Sequence, residues 1–280
     1  MPEAMKIPAL APVDGVWFVT GGSSGFGRAL VAALLARGAR VAATARRLEA
    51  LDDLACDNLL AVRLEVTDAG ERVAALAAAR DRFGRIDALV NNAGYGDVGT
   101  IEEVPQASAR ALMETNYFAT LALVQAVIPE MRGRGLGRIV NVGSVAGQIG
   151  FPAVGAYSAA KFAVAGMTEA LAAEMKGFGI GVTLAELGPF ATNFAQAMGV
   201  TPPGPHYVMA AMSLEAGNSE WRGGEDPARG AAALLRAVCG EDPPVRIVLG
   251  QQGLDVADLH DARRAAAREK WRAVGSLALD

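Results

Sequence analysis

Cysteine and histidine are both scarce in this chain, with two of each among 280 residues. Cys56 and Cys239 stand far apart and form no CxxC pair or Cys/His cluster, which excludes a disulfide framework and a zinc site of the usual spacing. His206 and His260 fall in the C-terminal third, one in a loop-like stretch and one in a charged segment, and no chemistry is assigned to them. No apolar run approaches the ~18 residues of a membrane-spanning helix, so no span is expected. Charge of one sign is lacking too: a net charge of −4 leaves no broad footprint for nucleic acid, and neither DNA nor RNA is an expected partner. The first fourteen residues contain apolar side chains, but Pro8 and Pro12 interrupt them, so this stretch reads as a flexible arm rather than a signal peptide. The rest, residues 15–280, is expected to form one α/β domain of a soluble, cytoplasmic protein, with 52% hydrophobic residues to build its core.

From Val16 onward, short β-branched runs alternate with Ala/Leu/Arg-rich segments. VWFVT (16–20), RVAATA (40–45), LLAVRLEV (59–66), IDALVNN (86–92), RIVNVG (138–143), IGVTLAEL (180–187) and VRIVLG (245–250) read as strands, with helices over 25–37, 48–55 and 69–83 between the first four. Alternation of this kind indicates a parallel sheet covered by helices on both faces, and the near-continuous apolar strands agree with burial on both sides. Residues 188–226, rich in Gly, Pro and Met, show no clear strand and are too long for an ordinary connection, so they read as a substrate loop or lid. The tail over 254–280 reads as an exposed or partner-facing helix because its charges are mixed.

Two local patterns carry chemistry. TGGSSGFGRAL follows the first strand, where its glycines permit a tight turn and let backbone N–H groups and a helix N-terminus approach a pyrophosphate. In YSAAK, Tyr157 and Lys161 are four residues apart and would emerge on one face of a helix. Bringing a tyrosine from its ordinary pKa of ~10 to near neutrality takes about 4 kcal/mol. An ammonium ~4 Å away at an effective dielectric of ~20 supplies about that much, while burial opposes it. The acidity of such a tyrosine would then depend on the lysine and on the charge of a bound cofactor.

Thr20–Gly27 resembles the TGxxxGxG loop of the short-chain dehydrogenase/reductase family, compact single-domain branch, and NNAG at 91–94 resembles its second fingerprint. Ser144 followed by Tyr157 and Lys161 resembles the family's catalytic signature, and Asn116 in METNYFA matches its fourth catalytic position. The motifs stand in the family's order and the resemblance covers about residues 16–250. It implies a Rossmann-like doubly wound sheet and an oxidoreductase in which Tyr157 exchanges a proton with the substrate oxygen. Ser144 would hydrogen-bond that oxygen, Lys161 would hold the nicotinamide ribose, and Asn116 would position a water linking Lys161 to solvent. The resemblance also implies cofactor contacts from Gly21, Ser23, Ser24, Gly25, Phe26 and Gly27, from Glu65, Val66, Asn92, Ala93 and Gly94, from Gly188 and Thr192, and from Tyr157 and Lys161 themselves. Glu65 stands where the family usually has Asp, and Leu187–Gly188 replaces Pro-Gly.

The second strand ends with Ala45 where an NAD site places an acid, and Arg46 follows with donors suited to a 2′-phosphate. NADP(H) is therefore expected in preference to NAD(H). Phe190, Phe194, Met198, Tyr207, Val208, Met209 and Met212 favour a hydrophobic ketone or aldehyde, or the matching alcohol, as substrate. A non-catalytic NADP-binding sensor or scaffold, and an epimerase or dehydratase of the extended branch, stand as alternatives. The complete Ser144, Tyr157 and Lys161 set argues against the first, and the glycine spacing and absence of a large C-terminal substrate domain against the second. Apolar helices around 105–132 and 155–177 predict a homodimer or homotetramer.

Overall fold

The computed structural model describes residues 15–207 and 224–277. The predicted arm over 1–14, and Val208, Met209 and Met212 of the predicted lid, lie outside the described residues. Strands β1 (Val16–Val19), β2 (Arg40–Ala45), β3 (Leu59–Arg63), β4 (Ala88–Asn91), β6 (Gly137–Ser144), β7 (Ile180–Leu187) and β9 (Arg246–Leu249) form one sheet in the order β3-β2-β1-β4-β6-β7-β9. Every neighbouring pair is parallel. Two further strands, β5 (Asp97–Val98) and β8 (Gly199–Val200), pair with each other outside this sheet.

Successive strand residues feed opposite faces. Trp17 and Val19 join one core cluster with Phe26, Leu30 and Leu34 of α1 (Gly25–Leu35), and with Leu234, Leu235 and Val238 of α6 (Pro227–Val238). Phe18 joins the other cluster, with Leu76 of α2 (Ala69–Phe83), Leu123 and Val127 of α4 (Ala119–Arg134), and Leu171 of α5 (Gly155–Met175). The sheet is thus a doubly wound Rossmann-like one, which is why its strands are apolar on both sides. Local signals fix the helix starts: Asp68 Oδ1 accepts from Glu71 N at 2.8 Å, and Asp226 Oδ1 accepts from Ala228 N at 2.8 Å with Pro227 opening the helix.

Three expectations change. The segment 48–54 is a 3₁₀ helix (Leu48–Leu54), and β3 ends at Arg63 because the Glu65 carboxylate accepts from Thr67 and closes a turn. The predicted lid does hold a strand, since Gly199–Val200 finds a partner in Asp97–Val98. Helix α3 (Gln106–Met113) runs through a π turn (Glu114–Phe118) into α4. By length and composition this 29-residue run could cross a membrane, though the α4 residues Leu123, Val124, Val127 and Met131 are buried on the sheet.

Strand order reverses between β1 and β4, so the connections leaving their carboxyl ends diverge to opposite faces of the sheet. The crevice opened there is where an α/β sheet of this kind takes a ligand. Both fingerprints, the glycine loop after β1 and NNAG at the end of β4, stand at that point.

Candidate active site

The glycine loop is built to bring backbone close to something. Gly21 and Gly25 hold φ values of +64° and +52°, a region that disfavours side chains. A Cβ on Gly27 would lie 2.2 Å from Asn92 Nδ2 and 2.4 Å from Gly21 O, so no other residue fits there. The two fingerprints are bound together: Thr20 Oγ1 accepts from Asn92 N and Ala93 N, both at 2.9 Å, and Asn92 Nδ2 donates to Thr20 O at 3.0 Å and Gly21 O at 3.1 Å. Ser24 is the N-cap residue of α1 but makes no side-chain cap bond, and no acidic residue occupies the first turn. The positive end of the helix dipole is therefore unopposed at the loop, as an anion site requires. Phe26 turns its ring against Phe190, with centroids 5.4 Å apart, and is buried in the core.

On the adenosine side, Arg46 follows the buried Ala45 and its side chain is 80% exposed. Arg46 Nη1 stands 4.0 Å from Glu65 Oε2, an exposed pair that costs little to separate. Glu65 Oε1 meanwhile accepts from Thr67 Oγ1 at 3.1 Å, so its longer side chain is spent on a local turn, and Val66 is buried. Across the crevice, Thr192 lies against Gly25, whose Cβ would be 3.3 Å from its own. Gly188 N donates to Leu249 O at 2.9 Å, and a Cβ there would meet Gly253 Cα at 2.9 Å.

The four predicted catalytic residues arrive on three elements and converge. Ser144 ends β6, and its Oγ accepts from Ala146 N at 3.1 Å. Tyr157 and Lys161 are both buried on α5, one turn apart. Asn116 is buried in the π turn and donates from Nδ2 to Tyr95 O and Leu112 O, each at 3.1 Å. Asn116 Oδ1 is buried and takes no hydrogen bond from the described residues. A Cβ on Gly94 would lie 2.5 Å from that oxygen and 3.8 Å from Lys161 Nζ. The missing side chain leaves room between an acceptor and a cation, which suits a bridging water.

Lys161 Nζ donates to Val142 O at 2.9 Å and lies 5.8 Å from the centre of the Tyr157 ring. Burial pushes Tyr157 up to about 12, with only partial relief from its hydrogen bond to Ser144, and burial lowers Lys161 to about 8. Desolvation outweighs the protein's own stabilisation of a tyrosinate. Leu112, Ala146, Tyr95, Phe151 and Val154 surround the ring, which explains that burial.

A strap after β7 closes one side of the site. Phe194 meets the Tyr157 ring at 5.9 Å between centroids. Beyond it, Gly199 N donates to Gly96 O at 3.1 Å and Thr201 N to Val98 O at 2.7 Å. Two carboxylates complete the attachment: Glu103 Oε1 accepts from Gly204 N at 2.6 Å, and Glu102 accepts from the Tyr207 hydroxyl. Met198 packs on Gly96. Phe194, Met198 and Tyr207 were expected in this segment, whereas Tyr95, Glu102 and Glu103 were not, because an acidic pair in a turn carries no signal of a partner a hundred residues away.

Comparison with known proteins agrees with this fold. Residues 15–201 match the family model described as short chain dehydrogenase. The chain is 33% identical over 264 residues to the oxidoreductase BOA17 of Botryotinia fuckeliana (strain B05.10), covering 92% of this chain and 96% of that one. It is 34% identical over 239 residues to a 3-ketodihydrosphingosine reductase of Bacteroides thetaiotaomicron, covering 83% and 86%. Among solved structures, a short-chain dehydrogenase from Streptomyces avermitilis superposes with a TM-score of 0.89 at 39% identity, over 95% of this chain and 99% of that one. One from Burkholderia cenocepacia J2315, in complex with NADP, gives 0.73 at 29% identity, over 95% and 98%. With its glycine loop, its Ser, Tyr and Lys set and its sheet all in agreement, this chain belongs to the short-chain dehydrogenase family and is a nucleotide-binding oxidoreductase.

Proposed function

We propose that the protein uses NADP(H) to interconvert a ketone or aldehyde with the matching alcohol on a hydrophobic small molecule, with Tyr157 as general acid and base. The observation that carries this reading is the convergence of Ser144, Tyr157, Lys161 and Asn116 beside a glycine loop whose helix N-terminus is unopposed. Loop amides from Gly21 to Gly27 bind the pyrophosphate, and Arg46 pairs with the 2′-phosphate. The nicotinamide cofactor supplies hydride chemistry and, when oxidised, a positive charge. Ser144 donates a hydrogen bond to the substrate oxygen and Tyr157 gives or takes its proton. Because burial, only partly offset by Ser144, raises Tyr157 to about 12, added positive charge beside it favours the tyrosinate and eases proton transfer. Lys161 and Asn116 hold the water that resupplies the proton. The solved relative in complex with NADP supports the cofactor assignment, and the ketone reductase among the relatives supports the substrate class.

Two measurements test this. Tyr157→Phe keeps the ring and removes the proton, so the variant should still bind NADPH while turnover on carbonyl substrates falls about 10²- to 10⁴-fold. Near-normal turnover would refute the assignment. For the cofactor, one charge-assisted hydrogen bond to the phosphate corresponds to a preference for NADPH of about 10-fold or more in kcat/KM. Replacing Ala45 with Asp and Arg46 with Ser should reverse it. A parent enzyme that favours NADH, or a preference that survives the loss of Arg46, would show Arg46 to be an ordinary solvated arginine.

A further inference from the structure

The strap covers the Tyr157 ring from the side of β5. Among the described residues, a cleft of about 340 Å³ lies between the turn after Ser144 and the first turns of α7 (Gln251–Lys270). Its walls are apolar, with Val145, Phe151, Pro189 and Val256, and its remaining side chains are Gln252 and Asp255. Three of these residues tie it to the reaction centre. Val145 directly follows Ser144, Phe151 packs in the cluster that holds the Tyr157 ring, and Pro189 directly follows Gly188. The glycine pair Gly188 and Gly253 lets the start of α7 approach this closely, since a Cβ on either would press the other's backbone at about 3 Å.

We propose that this cleft receives the end of the substrate remote from the carbonyl, and that Gln252 and Asp255 select a hydrogen-bond donor there. The preferred substrate is then an elongated apolar ketone with a hydroxyl at its far end. This deepens the reductase reading above and rests on it. Volume bounds the length: at about 30 Å³ for a water-sized group, the cleft takes at most on the order of ten non-hydrogen atoms. Charge sets the polarity. Gln251 Nε2 donates to Asp255 Oδ1 at 2.8 Å and steadies the carboxylate, which stands exposed at the edge of the cleft. A carboxylate accepts from a hydroxyl and repels a second anion, so acid-terminated chains are disfavoured.

The test uses the full chain loaded with NADPH and pairs of ketones matched in atom count, such as 9-hydroxynonan-2-one against decan-2-one, with shorter and longer pairs. The expected result is a length at which the hydroxyketone exceeds its partner in kcat/KM by about tenfold, a ratio that falls to near one in Asp255→Leu and in Gln252→Leu. No advantage at any length, or a ratio that survives both substitutions in variants with unchanged circular dichroism, overturns the inference. If no ketone oxidises NADPH, the reductase reading fails, and calorimetry decides the cleft separately. Selective binding of the hydroxyketone that Asp255→Leu abolishes upholds it, and equal binding of the pair overturns it.

Discussion

Tyr157 and Lys161 sit one helical turn apart in the same buried pocket, and their shifted acidities make opposite contributions to stability. Folding lowers Lys161 from its ordinary 10.5 to about 8, so between these values the unfolded chain binds the extra proton and stability rises with pH. Tyr157, raised from 10.0 to about 12, and Cys239, raised from 9.0 to about 11, are protonated when folded and ionised when unfolded, so they lose stability as pH rises through those windows. Lys161→Met removes only the first contribution. Relative to that variant, the parent should gain about 2 kcal/mol in denaturant unfolding between pH 8 and 10. A difference that stays flat would mean that the lysine is solvated. These groups were legible as residue types at fixed spacing, and so was the glycine loop. Their environment was not: a four-residue interval places two side chains on one face but does not reveal that Val142 O captures the ammonium.

At the level of elements, the strap is attached by bonds that can be cut without touching Tyr157. Glu103→Ala removes the acceptor for both Gly204 N and Thr100 Oγ1, and Tyr207→Phe removes the bond to Glu102. With these attachments cut, the double variant should raise KM severalfold, with a smaller change in kcat, and should speed proteolytic cleavage between 194 and 207. Unaltered KM together with unaltered cleavage would show that the strap does not cover the bound substrate. The central strands were readable because each is an apolar run buried on both faces; β7 spans Ile180–Leu187 as expected. Strands β5 and β8 were not, since two residues each carry no pattern and their pairing depends on the folded approach of distant segments.

For the whole molecule, the question is what covers its exposed aromatics. Phe118 in the π turn and Phe162 on α5 are 47% and 43% exposed, next to helices whose composition is more apolar than one-sided burial needs. A homodimer or homotetramer through this surface is expected, and Phe118→Asp combined with Phe162→Asp should dissociate it, as light scattering would register. A parent that scatters as a single 28.9 kDa particle at micromolar concentration would refute the association.

The π turn has a consequence for insertions and deletions. Its defining bond, Ala119 N to Glu114 O, spans one residue more than an α turn, so the helix before it and the helix after it differ in phase by about 100°. Leu112 can therefore pack beside Tyr157 while Leu123 and Val127 face the sheet. Removing any one residue between 114 and 118 would give a regular, unbroken helix with every backbone bond intact. It would also turn one half away from its partners and carry Asn116 off Lys161. The length of this turn, as much as the identity of its asparagine, is what keeps the site assembled.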